Sequence, residues 1–321
     1  MLLLKRKLMK ILLFTHKIDI DGMGCAVLGK LAFDDIEIVY CDTFEINQQI
    51  QRYIDNSSIY QYDKIFVTDL CIKQPLLSKF AEDKDLSRMT VILDHHKTEI
   101  EEGNDRYPFS TIVVQDENGK CSGTSLFYNY LLSQGLINES DNLEEFVELT
   151  RQYDTWEWKT LYNNEKANDL NILFSILKID GYVNKLYNKL LDNENFSLFE
   201  KEDVEMIKNY KQKTLETCLN YIKNLHIVNL HNFNVGVIDN IDDEYRNNIA
   251  DLVKKMPNLD IDLVALIING RNTVSFRSIK QDVDVGQFSV LYGGKGHKEA
   301  ASCPKNESIL NALEVAEGLI K

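Results

Sequence analysis

Val91-Ile-Leu-Asp-His-His-Lys97 decides how this chain is read. Three apolar residues, two of them β-branched, make a short buried strand. The strand ends in Asp94, His95 and His96, and a polar loop follows. In an open parallel sheet, chemistry gathers beyond the carboxyl ends of the strands. Carboxylate and imidazole at such an end are metal-ligand types. Taken alone, the triplet also fits a solvated loop. The balance changes because three other segments end in the same kind of residue.

Ile11-Leu-Leu-Phe-Thr15 is a continuous apolar run leading into His16, Asp19 and Asp21. Gly22 and Gly24 are expected to let the backbone turn tightly there. Ala26, Val27, Leu28, Leu31 and Ala32 then suit the buried face of a helix. Asp19 and Asp21 are two apart, so an extended loop would put both on one side, able to ligate neighbouring ions. Glu37-Ile-Val-Tyr40 reads as a strand and Ile46 to Ile54 as a helix. Lys64 to Thr68 is another apolar strand, closed by Asp69. A helix through Leu76, Leu77 and Phe80 leads to the strand at Val91. Alternating strands and helices predict a parallel sheet with helices on both faces.

Thr111 to Val114 is the expected fifth strand. After a turn at Asn118-Gly119, Cys121-Ser-Gly-Thr-Ser125 opens a helix. Ser122 and Thr124 fit either an N-cap or an anion site at the free N–H groups. A helix from Asn142 to about Tyr153 leads to Asp154-Thr-Trp-Glu-Trp158, a carboxylate among large aromatics. Residues 160–225 contain one Gly and no Pro, and read as connecting helices. Strands are expected at 226–230, 235–238, 263–268 and 273–277, with a helix around Ile249 to Val253. Asn269-Gly270 marks a tight turn. Gly293-Gly-Lys-Gly-His297 and a closing helix through Leu310, Leu313 and Val315 complete a smaller α/β domain. The predicted division is a catalytic domain over 1–158, a helical connector over 159–225 and a second domain over 226–321.

The 321 residues are 44% hydrophobic and 27% charged, which suits a globular chain with a sizeable core. A formal net charge of −14 repels long polyanions and leaves room for a short nucleotide in a local positive pocket. The six cysteines form no C-x-x-C pair, so structural zinc is not expected and a reduced, cytoplasmic setting is. The opening Met1-Leu-Leu-Leu-Lys-Arg-Lys-Leu lacks the long apolar core of a signal peptide. No stretch reaches the ~20 apolar residues of a membrane span.

The imidazoles and carboxylates favour a borderline divalent ion such as Mn²⁺, Fe²⁺, Co²⁺ or Zn²⁺, and their number suffices for two ions. The ordered set His16-x-x-Asp19-x-Asp21-Gly22, Asp69, Asp94-His95-His96, Ser122-Gly-Thr124, Asp154 and Gly293-Gly-Lys-Gly-His297 resembles the DHH phosphoesterase superfamily with a C-terminal DHHA1 domain. Within it, the small oligoribonuclease (nanoRNase) branch is the nearest in pattern. His16 and Asp19 stand one residue closer together than in the phosphatase-like members, and Lys295 replaces a usual glycine. The resemblance implies two Mn²⁺ ions, with Asp69 bridging, His16 and Asp19 on one, and Asp21, His95 and Asp154 on the other. It implies His96 on the scissile phosphate and Asp94 as a buried partner of the histidines. Arg277, Ser122, Thr124, Gly293, Gly294, Lys295, Gly296 and His297 would hold substrate, with the second domain closing over it. The implied substrate is a short single-stranded oligonucleotide, not long duplex nucleic acid. Alternatives are a nucleotide 3′-phosphate, a linear or cyclic dinucleotide, or a non-catalytic nucleotide sensor. Oligomeric state stays open, a homodimer included.

Overall fold

The computed structural model describes residues 9–117, 119–191, 197–256 and 258–314. The opening Met1 to Leu8, the turn residue Asn118 and the helix residue Val315 lie outside them. The chain forms two compact units, Met1–Ile207 and Lys208–Lys321. The division falls inside the stretch 159–225 expected as a connector. No helix among the described residues is long and apolar enough to cross a membrane.

In the first unit the order is β1 (Lys10–His16), α1 (Ile20–Ala32), β2 (Asp35–Cys41), α2 (Ile46–Asp55), β3 (Lys64–Thr68), α3 (Leu76–Glu82), α4 (Lys84–Met89), β4 (Thr90–Asp94), α5 (Lys97–Glu101) and β5 (Ser110–Ile112). A two-residue ladder of β6 (Gln115–Asp116) and β7 (Gly119–Lys120) precedes α6 (Gly123–Ser133), α7 (Asp141–Asp154), α8 (Glu157–Thr160) and α9 (Glu165–Leu191). α9 is kinked at Lys178, where φ is 58°.

β1 to β5 form one parallel sheet in the order β2-β1-β3-β4-β5. Both faces are covered, which is why the strands read as unbroken apolar runs. On one face Leu12 and Phe14 pack with Ile46, Ile50, Leu77 and Phe80. On the other, Phe66 meets Phe127 of α6 at 5.2 Å between ring centroids. The strand order reverses between β1 and β3, a topological switch point whose crevice is the usual ligand site in such sheets. The register pairs Thr15 with Thr68, so His16 and Asp69 emerge side by side.

Two local expectations are corrected. Asp19 and Asp21 do not share an extended segment, because Asp19 caps α1 and Asp21 lies in its first turn. Gly22 and Gly24 sit inside that helix, and space rather than turning requires them. A Cβ at Gly22 would lie 1.9 Å from the His16 carbonyl oxygen, and one at Gly24 would lie 2.2 Å from Thr124 Oγ1. The fifth strand is also shorter than expected, Ser110–Ile112, and its last cross-strand bond runs from the Val113 N–H to the Asp94 carbonyl at 2.9 Å.

The second unit contains β8 (His226–Leu230), β9 (Phe233–Ile241), α11 (Arg246–Lys254), β10 (Leu263–Ile268), β11 (Thr273–Ser278), α12 (Val285–Val290), β12 (Lys295–Gly296), β13 (Ala300–Pro304) and α13 (Glu307–Ala312), and α10 (Lys201–Ile222) leads into it. Its sheet runs β12-β13-β11-β10-β9-β8, with only β9 and β10 parallel. β10 shows the period-two rule of strands. Leu263, Ala265 and Ile267 pack on one face with Phe276 and Phe288, while Val264, Leu266 and Ile268 pack on the other with Ile249 and Val253.

Candidate metal centre

The carboxyl ends of β1, β3 and β4, the first turn of α1 and the last residue of α7 bring their polar side chains together. His16 Nδ1 lies 3.1 Å from Asp19 Oδ2 and 3.5 Å from Asp69 Oδ2. His95 Nε2 lies 3.2 Å from Asp69 Oδ1, 3.5 Å from Asp154 Oδ2 and 3.7 Å from Asp21 Oδ2. Three overlapping donor groups result, each with ligand atoms within 4.8 Å of one another: His16/Asp19/Asp69, Asp21/His95/Asp154, and Asp69/Asp94/His95/His96, whose Asp94 and His96 are already paired with each other; the first two are the candidate ion sites. Asp69 presents one oxygen to each of these two.

Asp69 is held there at a backbone cost. Its φ is 56°, in the left-handed region, where a residue other than glycine is uncommon. Its N–H donates to the Leu93 carbonyl at 3.0 Å, which fixes it against β4. Asp21 is positioned from a distance in sequence. Its carboxylate accepts the N–H groups of Gly123 at 2.6 Å and Thr124 at 2.8 Å, at the start of α6. The Thr124 hydroxyl donates to the Asp21 carbonyl, and Ser122 caps the helix through the Ser125 N–H. Ser122 and Thr124 are fully buried. Their polar groups are therefore committed to holding Asp21 and capping α6, and the helix-start N–H groups of Gly123 and Thr124 are already taken by a carboxylate.

Asp94 is buried, and its Oδ1 accepts from the His95 N–H at 2.7 Å and pairs with His96 Nδ1 at 2.7 Å. Burial alone would push the Asp94 carboxyl up, yet the His96 hydrogen bond and both neighbouring imidazoles hold it below the usual carboxylate range. The same Asp94 bond raises His96, which is half exposed. Asp42 lies just past β2, with its carboxylate 3.9 Å from His16 Nε2. It is one more strand-terminal carboxylate, and the rule that picked out Asp69 would also have found it.

The donor set fits a cation. Asp69 Oδ2 and Asp154 Oδ2 are buried without a hydrogen-bond partner among the described residues. Among the described residues, the ion-pair partners of Asp19, Asp21, Asp69 and Asp154 are His16 and His95. Burial, with the Asp21 charge next, pushes Asp69 and Asp154 well above the carboxylate range. Burial opposes charge on His16 too, but Asp19 and Asp69 outweigh it and bring the ring to about 10. An entering cation must therefore displace protons, so its affinity should rise with pH. Calorimetric titration of the metal-free protein with Mn²⁺ in two buffers of different ionisation enthalpy should show release of about one proton or more per ion near neutrality. Binding without proton release would contradict this picture.

In the second unit, Arg277 donates to Asn247 Oδ1 at 3.2 and 3.1 Å, to Ser275 Oγ at 2.9 Å and to the Phe276 carbonyl at 2.8 Å. All three partners are neutral, so the guanidinium is not spent on a carboxylate. Burial, then the charge of Arg246, lowers its pKa to about 10. Arg246 and Asn247 are not legible in the sequence, because they open a helix with no signal of their own. Lys295 and His297 are exposed, on and just past the edge strand β12. Gly294 and Gly296 are required by packing, since a Cβ there would lie 2.3 Å from the Ser302 carbonyl oxygen or from Ala301 Cα. Gly293 has φ 74° with open space around it.

A family model described as "DHH family, N-terminal domain" matches residues 10–153, stopping one residue short of Asp154. Oligoribonuclease NrnB of Bacillus subtilis (strain 168) is 30% identical over 315 residues, covering 95% of this chain and 75% of that protein. Two solved structures share the fold. The pGpG-specific phosphodiesterase PggH from Vibrio cholerae has a TM-score of 0.54 at 16% identity, covering 95% of this chain and 96% of its own. The DHH domain of a protein described as a member of a ribosomal-protein family has a TM-score of 0.61 at 13% identity, covering 95% of this chain and 86% of its own.

Proposed function

The chain belongs to the DHH family, and from that premise we propose that it is a two-metal phosphodiesterase degrading short single-stranded oligonucleotides. The oligoribonuclease relative supports hydrolysis over a non-catalytic sensor. The observation that carries the two-metal reading is Asp69, whose two oxygens face different donor groups. Two divalent ions, Mn²⁺ by the family resemblance, would neutralise phosphate charge and acidify a water. His16, Asp19 and Asp69 would hold one ion, and Asp69, Asp21, His95 and Asp154 the other. His96, whose protonated form Asp94 favours, holds the scissile phosphate. Ser122 and Thr124 act through Asp21 and not on substrate. In the second unit, Arg277, Lys295 and His297 are the groups assigned to substrate phosphates, with Gly293, Gly294 and Gly296 shaping that segment.

A net charge of −14 gives no basic track for a long strand, so each added nucleotide gains little and meets repulsion. With Mn²⁺, purified protein should cleave di- to pentanucleotides about tenfold or more faster than long single strands, and EDTA should stop it. Arg277→Ala and Arg277→Lys should both raise KM by about tenfold or more, since Lys cannot reproduce a forked phosphate contact. Rates that climb steadily with length would reject the short-substrate reading.

A further inference from the structure

The segment after Asp154 contains a cluster of rings that the metal centre does not use. Tyr153, Trp156 and Trp158 lie with centroids 6.2–6.4 Å apart and planes tilted by only 15–28°. Three nearly equal separations mean a compact cluster of near-parallel rings and not a linear pile. Trp156 is 48% exposed, although a large indole ordinarily gains by burial. It also sits at φ 62°, where a bulky side chain is a genuine outlier.

That conformation is enforced by the surrounding backbone. The Trp156 N–H donates to the Tyr153 carbonyl at 3.1 Å, and its own carbonyl accepts from the Lys159 and Thr160 N–H groups at 3.2 Å. The Thr160 hydroxyl adds a third donor at 3.0 Å. Backbone strain of this kind clusters at ligand clamps and active sites. Trp158 supplies a second, independent sign. It is 8% exposed, and its indole N–H, which can only donate, has no acceptor among the described residues. Trp156 follows Asp154 by two residues, so their Cα atoms are within about 7 Å. Asp154 Oδ2 is in turn 3.5 Å from His95 Nε2.

We infer that Trp156, supported by Tyr153 and Trp158, is the stacking face for a nucleobase of the substrate next to the scissile phosphate. The inference rests on the phosphodiesterase reading and adds the part of the substrate that phosphate contacts do not hold. Base stacking is independent of phosphate charge and tolerant of sequence, which suits a chain whose net charge works against polyanions. Trp156 is a binding residue here and has no part in proton transfer.

The test uses a dinucleotide with 2-aminopurine as one base and a methylenephosphonate linkage that resists hydrolysis, so that binding is read without turnover. Wild-type protein should quench the fluorescent base. Trp156→Ala should remove the quench and weaken binding roughly 5- to 150-fold, whereas Trp156→Phe should keep most of both. On hydrolysable dinucleotides, Trp156→Ala should raise KM and leave kcat nearly unchanged, and should have no effect on an abasic analogue. Unchanged circular dichroism and unfolding midpoint would show that the half-exposed indole was not needed for folding. Equal binding and quenching by wild type and Trp156→Ala would overturn the inference. Hydrolysis by wild type without any quench would overturn the stacking face and leave the phosphodiesterase standing. Quenching without hydrolysis of any substrate would do the reverse.

Discussion

Asp69→Asn should lower phosphodiester hydrolysis on the order of 10³-fold or more, equivalent to roughly 4 kcal/mol of transition-state stabilisation. The amide retains one acceptor oxygen, so it can no longer serve both donor groups. The same variant should make the metal-free protein more stable. The Asp69 carboxyl is raised in the fold by burial first and then by the charges of Asp21 and Asp19. An acid raised in the folded state binds a proton there that the unfolded chain has released. Its folded-state stability is complete below the unfolded carboxylate range and is lost as pH rises toward the folded pKa. Asn carries no such cost. The gain should grow as pH rises and be larger at pH 8 than at pH 6. Urea unfolding in EDTA at both values measures it, alongside steady-state kinetics with Mn²⁺. Activity within tenfold of wild type would remove Asp69 from the centre of this account.

Gly123→Ala should cost about 10²-fold in rate without touching a ligand atom. A Cβ at this position would lie 2.5 Å from Asp69 Cβ, 2.9 Å from Asp69 Cα and 3.0 Å from its nitrogen. The obstruction is backbone, so no flexible side chain can swing away. Either Asp69 or the start of α6 must move, and moving α6 disturbs the 2.6 Å bond from Gly123 N–H to Asp21. Both donor groups are affected by one methyl. Overpacking of this kind also destabilises by about 1–3 kcal/mol. Kinetics and thermal unfolding of the variant test the claim, and a rate near wild type would show that Asp69 has slack that the packing does not suggest.

The central strands of the parallel sheet were legible because a sheet buried on both faces writes itself as apolar runs, as at Ile11 to Thr15 and Lys64 to Thr68, whereas the short β6–β7 ladder was not. Strand-terminal Asp and His were legible because the topology of such sheets puts ligands there. What stayed hidden was contact across the chain. Nothing in Gly22 or Gly123 announces a backbone less than 3 Å away, and nothing in Ser122-Gly-Thr124 says that its N–H groups serve Asp21, about a hundred residues earlier. α4, with only Leu86 and Met89 buried, carries too little periodicity to be seen. β12 and β13 are built from Lys, Gly, Ala, Ser, Cys and Pro, a mix with no apolar run to mark a strand, and the glycines let the two backbones approach closely.

The ligand-bearing segments run from His16 to Asp154 and converge only when β1, β3, β4, α1 and α7 are all in place. Closing loops of that length costs entropy before any contact rewards it. No short peptide of this chain can hold the ion set, so metal cannot act as a nucleus around which the chain collects. The centre is therefore expected to form late, after the sheet has ordered, and metal bound there would brace a structure already made. Added Mn²⁺ should then slow unfolding and leave the folding rate nearly unaltered, the behaviour of interactions that are absent from the transition state.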